Sequence, residues 1–201
     1  MKVTLVDYGA GNVPSVERAL QRLNSASKRT SSPDGISKAA ALLLPGVGHY
    51  AALIRALDER GLRGPLTEAI GRGVPFLGIC LGLQALYESS EEAPELAGLK
   101  LLPGNVRSLP GTIKLPHMGW NQVQPRRESR LLEGIGRGSY FYFAHSYAVA
   151  SADAEVVATC THGADFVAVL EKHNLCAVQF HPEKSGEAGA RVLQNFLWMA
   201  A

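Results

Sequence analysis

Apolar runs and helically spaced apolar positions alternate through the first ninety or so residues. Val3 to Val6 is a short apolar run that reads as a strand. Asp7-Tyr8-Gly9-Ala10-Gly11-Asn12 carries turn residues. Pro14 then opens a segment in which Val16, Ala19, Leu20 and Leu23 recur at helical spacing, with Asn12 or Val13 in the cap region. Ala39 to Leu44 reads as a buried strand that runs out at Pro45-Gly46-Val47-Gly48. Ala51 to Arg60 and Pro65 to Gly71 read as helices, Val74 to Ile79 as a strand, and Leu81 to Ser89 as the helix that follows it. Strands that are apolar nearly throughout, interleaved with helices, predict a parallel sheet covered on both faces.

The second half has a different rhythm. Gly104 to Pro125 is rich in Gly, Pro and polar residues and reads as loop. Tyr140 to Val149, Glu155 to Thr161, Phe166 to Glu171 and Leu175 to Phe180 are strand-like runs with little helix between them, which predicts antiparallel pairing. Gly186 to Met199 is a closing helix. The expected fold is α/β: one domain over residues 1–201, with a mixed, mostly parallel sheet flanked by helices. Its loops gather at the carboxyl ends of the parallel strands, where open α/β sheets bind ligands.

Charge and cysteine content narrow the class. A formal charge of +2 is too small to argue for nucleic acid or an anionic membrane. Arg126, Arg127 and Arg130 are the densest basic group, and they read as a solvated loop. No apolar run approaches membrane-spanning length, and the N-terminal one is too short for a signal peptide. The three cysteines, Cys80, Cys160 and Cys176, are odd in number and lack metal-type spacing, so no metal is expected and a cytoplasmic location is. Cys160 and Cys176 lie in β-like apolar runs and read as core. His49, His162 and His173 read as loop residues.

Cys80 is different. In Gly78-Ile79-Cys80-Leu81-Gly82 an apolar strand ends in a cysteine with glycine two residues before and after. That is the form of a nucleophile elbow, a sharp strand-to-helix turn that exposes its central side chain. A helix N-terminus there favours a thiolate. Taken alone, such a segment also fits a buried core cysteine. A nucleophile needs a base, and His181 is the best placed, since the apolar run Ala177-Val178-Gln179-Phe180 ends just before it. Glu183, two residues on, returns to the His181 side of an extended chain and would orient the imidazole. Donors for a developing oxyanion would come from the Pro45-Gly46-Val47-Gly48 exit, with Gly46 and Gly48 freeing the backbone, and from the N–H of Leu81.

Gly78 to Gln84 together with Gln179-Phe180-His181-Pro182-Glu183 resembles the class I glutamine amidotransferases. Within them, Asp7 to Asn12, Leu44 to Gly48, Pro116-His117-Met118-Gly119-Trp120-Asn121, Tyr142 to Tyr147 and Phe180 to Ser185 resemble the glutaminase subunits of imidazole glycerol phosphate synthases. The resemblance implies a three-layer, flavodoxin-like domain without a cofactor. It implies that Cys80 attacks the side-chain amide of L-glutamine, that His181 protonates the departing ammonia, and that Glu183 orients His181. Gln84 and the backbone of His145, Ser146 and Tyr147 would hold the substrate's amino-acid end. Gly48 would lie beside it, and Val47 would sit on the oxyanion strand. Leu83, where the family often has Met, and His49-Tyr50 depart from the usual pattern without touching these residues.

No second domain remains in the chain to accept ammonia, which would protonate and diffuse away in bulk water. The resemblance supplies a heterodimer partner, a (β/α)8-barrel cyclase subunit of histidine biosynthesis, with Asn12, Met118, Trp120, Tyr142 and Lys184 in or beside the interface. Exposed Trp and Met suit such a surface. Three other readings are another glutaminase such as that of pyridoxal phosphate synthesis, a free-standing thiol hydrolase, and a binding module that kept the fold. Pro116 to Asn121 and Tyr142 to Tyr147 disfavour the first, and an intact Cys80, His181 and Glu183 the last.

Overall fold

The computed structural model describes residues 2–150 and 155–201. The central sheet takes β1 (Lys2–Val6), β2 (Ala26–Thr30), β3 (Leu42–Gly46) and β4 (Phe76–Cys80) from the first half. The strands that follow along the chain are β5 (Ser89–Ser90), β6 (Asn105–Ser108), β7 (His117–Gln122), β8 (Gln124–Pro125), β9 (Tyr140–His145) and β10 (Tyr147–Val149); of these β8 joins the central sheet. It continues with β11 (Val156–His162), β12 (Ala164–Lys172) and β13 (Leu175–Val178). The helices are α1 (Val13–Arg22), α2 (Pro33–Ser37), α3 (Tyr50–Glu59), α4 (Arg63–Gly71), α5 (Leu81–Gln84) and α6 (Gly186–Met199), with a 3₁₀ turn at Pro182–Lys184.

An eight-stranded sheet runs β2-β1-β3-β4-β13-β12-β11-β8. The pairings from β2 to β13 are parallel, and those of β13, β12, β11 and β8 are antiparallel, as the change of rhythm along the chain predicts. Alternate side chains of the parallel strands feed two apolar cores. Leu42, Leu44 and Phe76 pack with α3 and α4 on one face; Leu43, Leu77 and Ile79 pack with α1 and α6 on the other. The order β1-β3-β4-β13 sets the ends of four parallel strands side by side. Those ends carry the Asp7–Asn12 turn, Gly46, Cys80 and the segment leading to His181.

Three local expectations fail, and one strand goes unread, for physical reasons. The helix after Cys80 stops at Gln84 rather than Ser89, because Leu99 takes the carbonyl of Ala85, and Leu101 and Leu102 take that of Leu86. Residues Leu81 to Tyr87 are all buried, so the segment has no solvent face to sustain an amphipathic helix. The edge strand β2, Ala-Ser-Lys-Arg-Thr, has no apolar run; charged residues suit an edge. Gly104 to Pro125 is not loop throughout, since it holds β6, β7 and β8. Among the described residues β7 pairs with β9 alone, as a two-stranded ribbon off the main sheet, so Met118 and Trp120 stand on a strand. His162 is the last residue of β11 rather than a loop residue.

Candidate active site

Cys80 joins β4 to α5 with φ 54° and ψ −106°, a conformation that L side chains rarely adopt. Close backbone approach holds it there. A Cβ on Gly78 would lie 2.6 Å from the Gly82 carbonyl oxygen, and one on Gly46 would lie 2.5 Å from Leu81 Cβ. A Cβ on Gly82 would overlap the Leu44 carbonyl oxygen. The flanking glycines are therefore required by contact, since only the cysteine between them has positive φ. Gly46 pairs directly with Cys80 across β3 and β4, so Pro45-Gly46-Val47-Gly48 passes the sulfur. Gly48, at φ 99°, has open space where a side chain would stand.

His181 is buried at the exit of β13, with its backbone N–H bonded to the Tyr142 carbonyl at 2.9 Å. Its Nδ1 lies 3.0 Å from Glu183 Oε1, and its ring is electrostatically coupled to the Cys80 thiol. Burial alone would lower the His181 pKa. Coupling to Cys80 and Glu183 outweighs it and pushes the pKa up to about 10. Glu183 reaches the ring by a different route from the expected extended chain. The 3₁₀ turn folds it back, and Ser185 Oγ fastens that turn by donating to the His181 carbonyl at 2.7 Å. The thiol, imidazole and carboxylate thus meet in a line that supports thiolate–imidazolium chemistry.

The expected substrate-holding residues also converge. Gln84 is buried, and its Nε2 donates to the Tyr147 carbonyl at 2.8 Å and to Gln179 Oε1 at 3.1 Å. Its Oε1 is buried without a hydrogen-bond partner among the described residues. His145 donates from Nδ1 to the same Tyr147 carbonyl at 2.9 Å, and Ser146 lies at the break between β9 and β10. Burial pushes the His145 pKa down to about 3, so a neutral ring faces the His181 cation. Leu81, as the first residue of α5, directs its N–H toward the turn that holds Cys80.

Of the expected interface residues, Met118 and Trp120 are 65% and 57% exposed on the outer face of the β7–β9 ribbon. Trp120 meets the Tyr142 ring edge-on, and Lys184 Nζ lies 5.5 Å from the centre of that ring. Asn12 caps α1 with φ 54°, and α1 packs against the Pro182–Lys184 turn. Tyr140, exposed on the same ribbon, extends this patch beyond the residues found in the sequence.

Sequence reading missed two features. One is Gln179, buried beside Cys80 with Nε2 3.5 Å from Sγ. The other is the histidine cluster. His117 Nδ1 lies 3.1 Å from His145 Nε2, and His162 stacks on His117 with ring centres 4.1 Å apart. Cys160 and Cys176 are core residues, as expected.

The family model of class I glutamine amidotransferases matches residues 4–200. The imidazole glycerol phosphate synthase subunit HisH of Moorella thermoacetica is 48% identical over 195 residues, covering 96% of this chain and 93% of that protein. The HisH subunits of Salinibacter ruber and Methanothermobacter thermautotrophicus are 44% and 46% identical; the alignments cover 96% and 97% of this chain and 92% and 97% of those proteins. Among solved structures, a glutamine amidotransferase superposes with a TM-score of 0.78 at 20% identity, covering 98% of each chain. PurLQS from Thermotoga maritima gives a TM-score of 0.77 at 20% identity over 98% of this chain and 97% of that one; both establish the fold. The chain belongs to the class I glutamine amidotransferases, within the family of imidazole glycerol phosphate synthase HisH subunits.

Proposed function

We propose that this chain is the glutaminase subunit of an imidazole glycerol phosphate synthase, with Cys80, His181 and Glu183 as its catalytic residues. The observation that carries the reading is the strained Cys80 at a strand–helix junction, coupled to a buried imidazole that Glu183 holds at 3.0 Å. The Cys80 thiolate attacks the side-chain amide carbon of L-glutamine. Negative charge moves to the amide oxygen, opposite N–H groups of the Gly46-Val47-Gly48 strand and of Leu81. The His181 imidazolium gives its proton to the amide nitrogen, the C–N bond breaks, and ammonia leaves a glutamyl thioester. His181, now neutral, takes a proton from water as that water attacks the thioester. The C–S bond breaks, glutamate leaves, and the thiolate–imidazolium pair is restored.

Gln84 Oε1, buried with no partner among the described residues, suits the α-ammonium of glutamine, and the His145–Tyr147 backbone suits its carboxylate end. Ammonia released in bulk water would be lost as ammonium. A (β/α)8-barrel cyclase subunit docked on Asn12, Met118, Trp120, Tyr142 and Lys184 would receive it. That subunit would yield imidazole glycerol phosphate and aminoimidazole carboxamide ribotide in histidine biosynthesis. The exposed Met118–Trp120 face supports docking there. The test is ammonia release from glutamine by the purified heterodimer. Cys80→Ala is expected to abolish it, and retained hydrolysis would remove Cys80 from the mechanism.

A further inference from the structure

Gln179 is fully buried next to Cys80, and its amide orientation is determined by bonds that start from groups of fixed polarity. The Tyr147 carbonyl can only accept, so the Gln84 atom 2.8 Å away is its Nε2. That Nε2 also lies 3.1 Å from one end of the Gln179 amide, which must therefore be Oε1. The other end, 3.5 Å from Cys80 Sγ, is then an N–H donor. The Tyr147 carbonyl is fixed in turn from its other side. Asn121 accepts from the Gln122 N–H at 2.8 Å and donates to the Thr161 carbonyl at 3.0 Å, so its Nδ2 donates to His117 Nε2. His117 Nδ1 donates to His145 Nε2, and His145 Nδ1 donates to Tyr147. Every member of this chain has one workable polarity, and it ends by presenting a proton donor to the sulfur.

We propose that Gln179 is a positioning residue that stabilises the Cys80 thiolate through an Nε2–H···S bond, with Gln84 holding the amide in that orientation. The inference rests on the proposed role of Cys80 as nucleophile. The donor complements His181, because its proton is not transferred and stays available when His181 has given its own to ammonia. It therefore stabilises the thiolate as leaving group when the thioester breaks down. The titratable groups coupled to the sulfur are His181, with Glu183 behind it, and the Tyr8 hydroxyl from the turn after β1. The substitutions below leave all of them in place.

The test is the pH dependence of Cys80 alkylation by iodoacetamide in the full chain, with modification at Cys80 read by peptide mass. Gln179→Met keeps the volume and removes the donor. The pH of half-maximal rate is expected to rise by about one unit, a tenfold loss of thiolate equivalent to about 1.4 kcal/mol. Gln179→Glu keeps an acceptor for Gln84 and places a carboxylate at the sulfur, so a larger rise is expected. A Gln179→Met midpoint that matches the wild type overturns the proposal, and Gln179→Leu, which also removes the donor, decides it if the Met variant does not fold. Failure of wild-type Cys80 to be alkylated at neutral pH would instead count against its role as nucleophile.

Discussion

The paired rings of His117 and His145 make stability fall with mild acid. Burial, reinforced by neighbouring histidines, pushes their pKa values down to about 4 and about 3, against about 6.5 in an unfolded chain. Below pH 6.5 the unfolded chain takes up protons that the folded rings refuse, so folding loses ground as pH falls. From pH 7 to pH 5 the linkage relation costs about 2 kcal/mol per ring, or about 3–4 kcal/mol for the pair. That is a large share of a stability of roughly 5–15 kcal/mol. Most paired carboxylates titrate lower, so this window belongs chiefly to histidine. His181 does not obscure it. With its folded pKa raised to about 10, its contribution is complete below about pH 6 and declines from there up to about pH 10, so between pH 7 and pH 5 it offsets only about 1 kcal/mol of the loss. Urea denaturation at half-unit steps from pH 7 to pH 5 measures the slope. His117→Phe retains a ring between Phe143 and His162 and removes one titrating group. It should lower stability at pH 7 by about 1–3 kcal/mol, because His145 Nε2 loses its donor, and should roughly halve the acid slope. An unchanged slope in this variant refutes the assignment.

Gly82→Ala should cost about 3 kcal/mol, read as a lower urea midpoint, since its Cβ meets the Leu44 carbonyl oxygen on a neighbouring strand; wild-type stability would show that the elbow opens freely. Trp120→Ala should raise the dissociation constant for the cyclase subunit about 30-fold by titration calorimetry, a loss of about 2 kcal/mol typical of a central aromatic contact. An unchanged constant takes Trp120 out of the interface. Burial pushes the Cys160 and Cys176 thiols up to about 12, so brief iodoacetamide treatment at pH 7 should add a single label by intact mass; a second label contradicts their place in the core.

Local chemistry was readable along the chain. Cys80 announces itself because its turn needs glycine at 78 and 82, and the His181 exit follows an apolar run whose end is visible. The strand β2 was not readable, because an edge strand gains its stability from backbone pairing with β1 and carries Lys28 and Arg29 on an exposed border. The ribbon strand β7 was hidden for a related reason. One of its faces is open to solvent, and Gly119 interrupts its pattern, so Met118 and Trp120 lack the alternation of a half-buried strand. The early end of α5 is set by residues 99–102, whose N–H groups take the carbonyls of Ala85, Leu86 and Tyr87 just beyond it.

The buried amides and imidazoles around the sulfur are a harder class, because a polar residue inside a strand gives no periodic signal. Gln179 reads as an interruption of the run Ala177 to Phe180. Its meaning depends on strand adjacency. β13 lies parallel to β4 and ends with Val178 opposite Ile79, so the residue that follows it leaves the strand beside the last residue of β4. That places Gln179 against Cys80, just as Gly46 stands against it from β3. A pattern reading that had derived the order β3-β4-β13 could have paired both with Cys80. It would then have found a residue with no side chain on one side and a proton donor on the other. His117 and His145 follow by the same logic. They are directly opposite in the β7–β9 ribbon, so their contact is a consequence of register, and their neutrality is a consequence of burial at that register.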